Sequence, residues 1–145
     1  MLRVVIAFIF LGICHTSYSQ SLLTWDDFAD VNFEPKYNAQ YDAHFLMPTF
    51  GKKIKSYEGK QVKITGFFLD LAGTGEIYLV SANPMASCFF CGAAGPETVI
   101  EVAFKERPSF KTDQVVQIIG QLSLNADDVG HCNYIMSEAS GKLIR

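Results

Sequence analysis

Two stretches of this chain share a pattern of alternating apolar residues that closes on a glycine. The first reads Val-x-Ile-x-Gly over residues 62–66, and the second repeats it over residues 116–120. A glycine inside a strand costs stability, so its presence indicates a sharp bend or a close approach of another backbone. Two long strands that each coil at a central glycine favour a small closed barrel.

Alternation of apolar and polar residues extends this pattern to five predicted strands. Their ranges are 61–69, 76–81, 98–105, 114–124 and 131–138. Short strands at even spacing, joined by turns, are typical of all-β domains. We therefore predict an all-β fold, a five-stranded OB-like barrel over residues 59–145 with frayed last residues. A β-sandwich is the alternative, although five strands are few for one.

Residues 20–58 predict a short N-terminal helix followed by an extended arm. Thr24 is a suitable N-cap and two aspartates follow Trp25, so a helix is expected to begin there and to end near Asn32. Residues 33–56 show no sustained period and contain two prolines. Their many aromatic residues argue against disorder, and we expect the arm to lie over the barrel.

The first residues predict an export signal over residues 1–19. Met1–Arg3 is short and basic, Val4–Ile13 is unbroken and apolar, and small residues follow at Ser17 and Ser19. Ten apolar residues are too few to span a bilayer, which takes about 20. We therefore expect an exported protein, periplasmic or extracellular, that is not an integral membrane protein after signal cleavage.

Cleavage of the signal changes the set of cysteines. A lipid anchor at Cys14 is the alternative, but Ile13 is larger than the residue that normally precedes a lipoprotein cysteine. Loss of Cys14 leaves Cys88, Cys91 and Cys132. Three is an odd number in an oxidising compartment, so disulfides alone cannot use every cysteine.

Charge and motifs exclude several classes of function. The formal net charge is −3, and no basic stripe runs along any predicted element, which argues against nucleic acid and anionic membranes as partners. The chain contains no nucleophile elbow, phosphate-binding glycine loop, His-Glu-x-x-His motif or dinucleotide fingerprint. Its carboxylates are scattered and form no evident acid–base pair. We therefore expect a protein that is not an enzyme.

The sequence Cys88-Phe-Phe-Cys91 carries the strongest chemical signal. Gly92 occupies the position at which a c-type haem site needs histidine. Redox catalysis of the thioredoxin type needs the pair at the start of a helix, whereas here a glycine- and alanine-rich run leads into a strand. Two thiolates at this spacing can instead bind one metal ion, and zinc or copper(I) favours sulfur ligands.

A complete tetrahedral site needs two more donors, and His131 and Cys132 are the candidates. The third and fifth strands of an OB barrel are parallel neighbours, so the cysteine loop and the start of the fifth strand should lie at the same end. Adjacent strand residues point to opposite faces, so both can bind only if they still belong to a loop. We predict a Zn²⁺ or Cu⁺ site formed by Cys88, Cys91, His131 and Cys132.

Three alternatives remain open from the residues. The site uses three sulfurs, with His44 or water in the fourth place. A structural disulfide joins Cys132 to Cys88 or Cys91 and leaves one free thiol. The three cysteines are unpaired and buried.

Several motifs spread over the chain match one known pattern. They are Trp25, Pro48-x-Phe50, Tyr57-x-Gly59-Lys60, Val62-x-Ile64-x-Gly66-Phe67, Cys88 and Val99-x-x-Val102. With them the chain resembles a family of small secreted bacterial proteins of unknown function. The resemblance implies an OB-like fold. It also implies an envelope transporter component as partner, because some members are encoded beside ABC-type transporters linked to metal uptake.

The chain departs from that family at the cysteine loop. The family pattern has Cys-x-His followed by several prolines, whereas here Phe90 replaces the histidine, Pro96 alone remains and Cys91 is added. We expect a non-enzymatic metal-binding protein that is accessory to metal transport. The alternatives are a structural or interaction module of an envelope transporter complex, with its cysteines in a disulfide, and a thiol-redox protein.

Overall fold

A computed structural model describes residues 20–71, 73 and 77–145 of the chain. The predicted signal over residues 1–19, with Cys14, lies outside these residues. Within the described ranges no helix is long and apolar enough to cross a membrane.

The described chain contains eight strands and two helices of one turn each. They are β1 (Ser21–Leu22), α1 (Trp25–Phe28), β2 (Val31–Asn38), β3 (Ala43–Phe50), α2 (Lys52–Lys55), β4 (Gln61–Asp70), β5 (Tyr78–Ser81), β6 (Val99–Phe104), β7 (Val115–Leu124) and β8 (Tyr134–Leu143). The first four predicted barrel strands agree with β4 to β7 to within two residues, and residue 76 of the second lies outside the described ranges.

Five of these strands form a closed barrel. β4 pairs antiparallel with β5 and β7, β5 pairs antiparallel with β6, and β7 pairs antiparallel with β8. A parallel pair between β6 and β8 completes the ring, and β1 adds to β4 in parallel. The predicted all-β, five-stranded OB-like barrel is confirmed.

The two glycines inside the long strands lie where other atoms approach the backbone closely. A Cβ atom at Gly66 would stand 2.5 Å from the carbonyl oxygen of Ser81 and 2.8 Å from the ring of Trp25. One at Gly120 would stand 2.8 Å from the carbonyl oxygen of Ser137, next to a shift in the β7–β8 register. The predicted close approach is therefore confirmed at both positions.

The predicted extended arm is a paired hairpin. β2 and β3 pair antiparallel along their full length, from Val31 with Phe50 to Asn38 with Ala43. The Asn38 side chain accepts a hydrogen bond from the Gln40 amide in the turn. The sequence did not indicate this pairing. Most hairpin residues are exposed or half-exposed, so their apolar and polar residues need not alternate.

The helix and the base of the hairpin belong to the barrel core. Tyr134 at the start of β8 is fully buried, and its hydroxyl donates to the Phe28 carbonyl oxygen at 2.7 Å. Its ring meets Phe28 edge-on at 5.0 Å between centroids and Phe50 at 5.4 Å. One continuous core therefore crosses the expected boundary at residues 58 and 59.

Two predicted boundaries were wrong. The first helix ends at Phe28, not near Asn32, because Val31 already begins the hairpin. The last strand is Tyr134–Leu143, whereas residues 131–138 were predicted with a frayed end. Beyond the buried Ala139 its second half is exposed, so backbone pairing with β7 holds it in place, as far as Leu143 opposite Val116.

Replacement of Gly66 by alanine should destabilise the barrel. The added methyl group would overlap the Ser81 carbonyl oxygen, which cannot move without disturbing the β4–β5 pair. We expect Gly66→Ala to lower the free energy of unfolding, measured in urea, by about 1–3 kcal/mol. Ser123→Ala, at an exposed position of β7, is the control and should change it by less than about 0.5 kcal/mol. Equal effects of both variants would contradict the close approach.

Candidate functional site

The cysteine loop connects β5 to β6 through three short 3₁₀ turns. Cys88 lies between the turns Met85–Ser87 and Phe89–Cys91. The Cys91 amide donates to the Cys88 carbonyl oxygen at 3.1 Å, and Gly92, with φ of 73°, ends the second turn in the left-handed conformation. No α-helix begins at this pair, as the sequence predicted.

The turn brings the two sulfur atoms of the Cys-x-x-Cys motif together. The Sγ atoms of Cys88 and Cys91 are 4.0 Å apart. Cys88 is fully buried, whereas Cys91 is exposed and its thiol donates to the Met85 carbonyl oxygen at 3.0 Å. One sulfur therefore faces the protein interior and the other is accessible from solvent.

The parallel pairing of β6 and β8 places the third cysteine at the same end of the barrel. Cys88 belongs to a small apolar cluster with Leu69, Leu79 and Val99, and Cys132 packs against this cluster. All three cysteines are free thiols in the structure. The cysteine loop and the loop before β8 therefore meet through the side chains of this cluster.

His131 and Cys132 both bind Glu101 of β6. His131 Nδ1 lies 2.8 Å from one carboxylate oxygen of Glu101, and the Cys132 amide donates to the other at 3.0 Å. Both residues belong to a loop, the condition set for joint metal binding. Glu101 holds only Nδ1 of His131, so Nε2 is the ring atom that a metal ion would have to use.

The four predicted ligands do not form a recognisable metal centre. Among the described residues, no group of three or more His, Cys, Asp or Glu side chains is arranged to hold a metal ion. His44, the alternative fourth ligand, is exposed on β3, where its ring lies 5.4 Å from that of Tyr37. Among the described residues of the predicted site, Cys88 and Cys91 are therefore the two whose sulfur atoms lie close together.

The protein environment favours the protonated form of the Cys91 and Cys132 thiols. Burial raises the pKa of Cys132 to about 12, and the nearby Glu101 carboxylate adds to the effect. Loss of hydration around its sulfur raises the pKa of Cys91, as does the neighbouring Cys88 thiol. Neither thiol has the lowered pKa that marks a reactive cysteine.

Two residues organise this end of the barrel and were not identified from the sequence. Glu101 falls within the predicted strand 98–105, and no role was predicted for it. Asn125 holds the loop before β8, because its side-chain amide donates to the carbonyl oxygens of Asp128 and Cys132 at 2.7 and 3.2 Å. Its side-chain oxygen accepts from the Asp128 amide at 2.9 Å. The combination Asn-x-x-Asp at a strand end was the available signal.

A cavity of about 390 Å³ opens beside the cysteine loop. The hairpin strand β3, the cysteine loop and the loop over residues 125–133 surround it. Phe89 and Phe90 contribute to its wall, together with Glu101, His131 and Cys132. The cavity therefore shares His131 and Cys132 with the predicted metal site, whereas Cys88 and Cys91 lie outside its lining.

The chain matches no protein-family model, and it matches none of the curated proteins with which it was compared.

The pairing with Glu101 should raise the pKa of His131 above its ordinary value of 6.5. The pair then contributes stability below pH 6.5 that is lost as the pH rises through the raised pKa. We expect an NMR titration of the His131 ring to give a midpoint above 6.5, and Glu101→Gln to lower it. Glu106→Gln, an exposed acid elsewhere, is the control. A midpoint that Glu101→Gln leaves unchanged would refute the pair.

Exposure and pKa together predict the order in which the thiols react. Cys91 should react first with iodoacetamide in the reduced native protein, because Cys88 is fully buried and the pKa of Cys132 is about 12. Mass spectrometry after peptide digestion would assign each modified cysteine. In urea all three should react at similar rates. Labelling of Cys132 as fast as Cys91 in the native protein would contradict the observed burial.

Proposed function

We propose that the protein is an exported, non-enzymatic binding protein in which Cys88 and Cys91 hold one soft metal ion. The single observation that carries this proposal is the separation of 4.0 Å between their sulfur atoms. Two zinc–sulfur bonds of about 2.3 Å at a tetrahedral angle would place their sulfurs about 3.8 Å apart. The observed 4.0 Å lies between this value and the about 4.6 Å that two such bonds would span in a straight line, so one ion with two sulfur ligands fits the pair.

Copper(I) fits this pair better than zinc. Structural zinc takes four protein ligands, and the described residues offer no third donor arranged with the two sulfurs. The buried Cys132 thiol, with its pKa of about 12, would have to lose a proton to bind. Copper(I) is soft, prefers thiolate ligands and accepts a low coordination number.

The environment of the pair supports binding rather than redox catalysis. A catalytic disulfide needs one exposed thiol with a lowered pKa. Here the exposed Cys91 has a raised pKa, and Cys88 is buried. A bound metal ion would displace the protons of both thiols, so the raised pKa makes binding dependent on pH without preventing it.

The expected export and the family resemblance give the proposal its setting. The basic and apolar segments of residues 1–19 predict export, and the resemblance to secreted proteins implies a partner in an envelope transporter for metals. A metal-binding accessory protein of such a transporter would combine both features. The second candidate is a protein-interaction module of that complex, with the same two sulfurs joined as a local disulfide.

Copper titration of the reduced, purified protein tests the proposal. Under anaerobic conditions, with bicinchoninate as the competing ligand, we expect one copper(I) ion per chain. Cys91→Ser should weaken binding by at least about a hundredfold, more than loss of an outer-shell partner does. Cys132→Ser is the matched control and should bind as the original protein does.

Three outcomes would contradict the two-sulfur site. They are the absence of competitive copper binding, equal binding by Cys91→Ser, and zinc binding that Cys132→Ser abolishes. Thiol counting on protein isolated without reductant examines the second candidate. A single free thiol, together with a Cys88–Cys91 link in the peptide map, would favour the interaction module.

A further inference from the structure

The cavity beside the cysteine loop has the size and shape of a binding site for a small molecule. Its volume of about 390 Å³ lies within the range of about 300–1,000 Å³ that is usual for ligand pockets. The hairpin forms one side and the barrel end forms the other. The cavity is thus built by elements far apart in the sequence.

Several large apolar side chains that line this cavity are exposed to solvent. Leu46 of the hairpin is 49% exposed, Ile77 is 50% exposed and Phe90 is 51% exposed, and all three line the cavity. Leu71, also in the lining, is 39% exposed. Exposed apolar groups gathered around a concavity mark a binding surface, whereas scattered ones do not.

Acidic residues also line the cavity. They are Glu101, Asp127 and Asp128; no lysine or arginine occurs among the described lining residues, and the basic groups there are the imidazoles of His44 and His131. His131 and Cys132 already hydrogen-bond to both oxygens of Glu101, which fixes the carboxylate in position. Each carboxylate oxygen has a further lone pair, so Glu101 can accept another hydrogen bond.

We propose that this cavity binds a small amphiphile with an apolar body and a protonated amine. The apolar body would cover the exposed side chains of Leu46, Ile77 and Phe90. The ammonium group would lie among the carboxylates, and an apolar cavity strengthens that attraction relative to water. The same carboxylates repel an acidic amphiphile such as a fatty acid.

Three compounds with the same chain test this ligand class. Decylamine, decanol and decanoate would be titrated into the purified protein below their micelle-forming concentrations, with calorimetry as the measurement. We expect saturable binding of one decylamine per chain, at least about tenfold tighter than that of decanol, because a charge-assisted hydrogen bond is added. Decanoate should bind most weakly.

Variants separate the two halves of the site. Glu101→Gln keeps the size of the side chain and should remove most of the preference for decylamine over decanol, and Asp128→Asn should reduce it. Leu46→Ala should weaken binding of both compounds. Leu22→Ala removes a leucine that is even more exposed and lies outside the lining, and it should change neither affinity. Cys91→Ser should also leave decylamine binding intact, which separates this site from the metal site.

Four results would overturn the proposal. One is the absence of saturable binding by any compound. A second is binding of decanoate as tight as that of decylamine. A third is decylamine binding that Leu46→Ala does not weaken. The last is a dimer in sedimentation that Leu46→Ala dissociates, because a second copy of the chain would then fill the cavity.

Discussion

The parallel pairing of β6 with β8 determines what this protein can bring together. Glu101 lies opposite Ile135 in that pair, so the segments that precede both strands reach the same end of the barrel. One segment carries Cys88 and Cys91, and the other carries His131 and Cys132. Without this parallel pair the barrel would not close, and the two loops would have no common neighbour.

Packing in the core fixes the position of that end of the barrel relative to the N-terminal segment. The ring of Tyr134, at the first position of β8, is clamped between Phe28 and Phe50, and its hydroxyl binds the Phe28 carbonyl oxygen. A buried tyrosine whose hydroxyl is satisfied tolerates little displacement. The hairpin forms one wall of the cavity, and the loop before β8 forms another. The packing of Phe50 on Tyr134 therefore joins the hairpin to the strand that directly follows that loop.

The strands with a strict apolar alternation could be predicted, since one face of each is buried in the barrel. Gly66 and Gly120 indicated close backbone contact because no side chain fits there. The hairpin and the second half of β8 were not foreseen, because backbone pairing stabilises them with little burial. A periodic pattern of apolar residues indicates that one face of a strand is buried. It gives no indication of a strand that hydrogen bonds alone hold at the surface.

The part of the site that follows from strand order was predicted. The part that depends on hydrogen bonds between side chains was missed. Strand order alone implied that Cys132 would approach the cysteine loop. Whether His131 would turn toward sulfur depends on which acceptor stands nearest, and Glu101 offers an anionic oxygen at 2.8 Å. Because Glu101 holds Nδ1, a metal ion would have to bind the ring through Nε2, and no group of three donors is arranged for it among the described residues. The two sulfurs, and not the full Cys/His set, are therefore the part of the end face best suited to a soft ion.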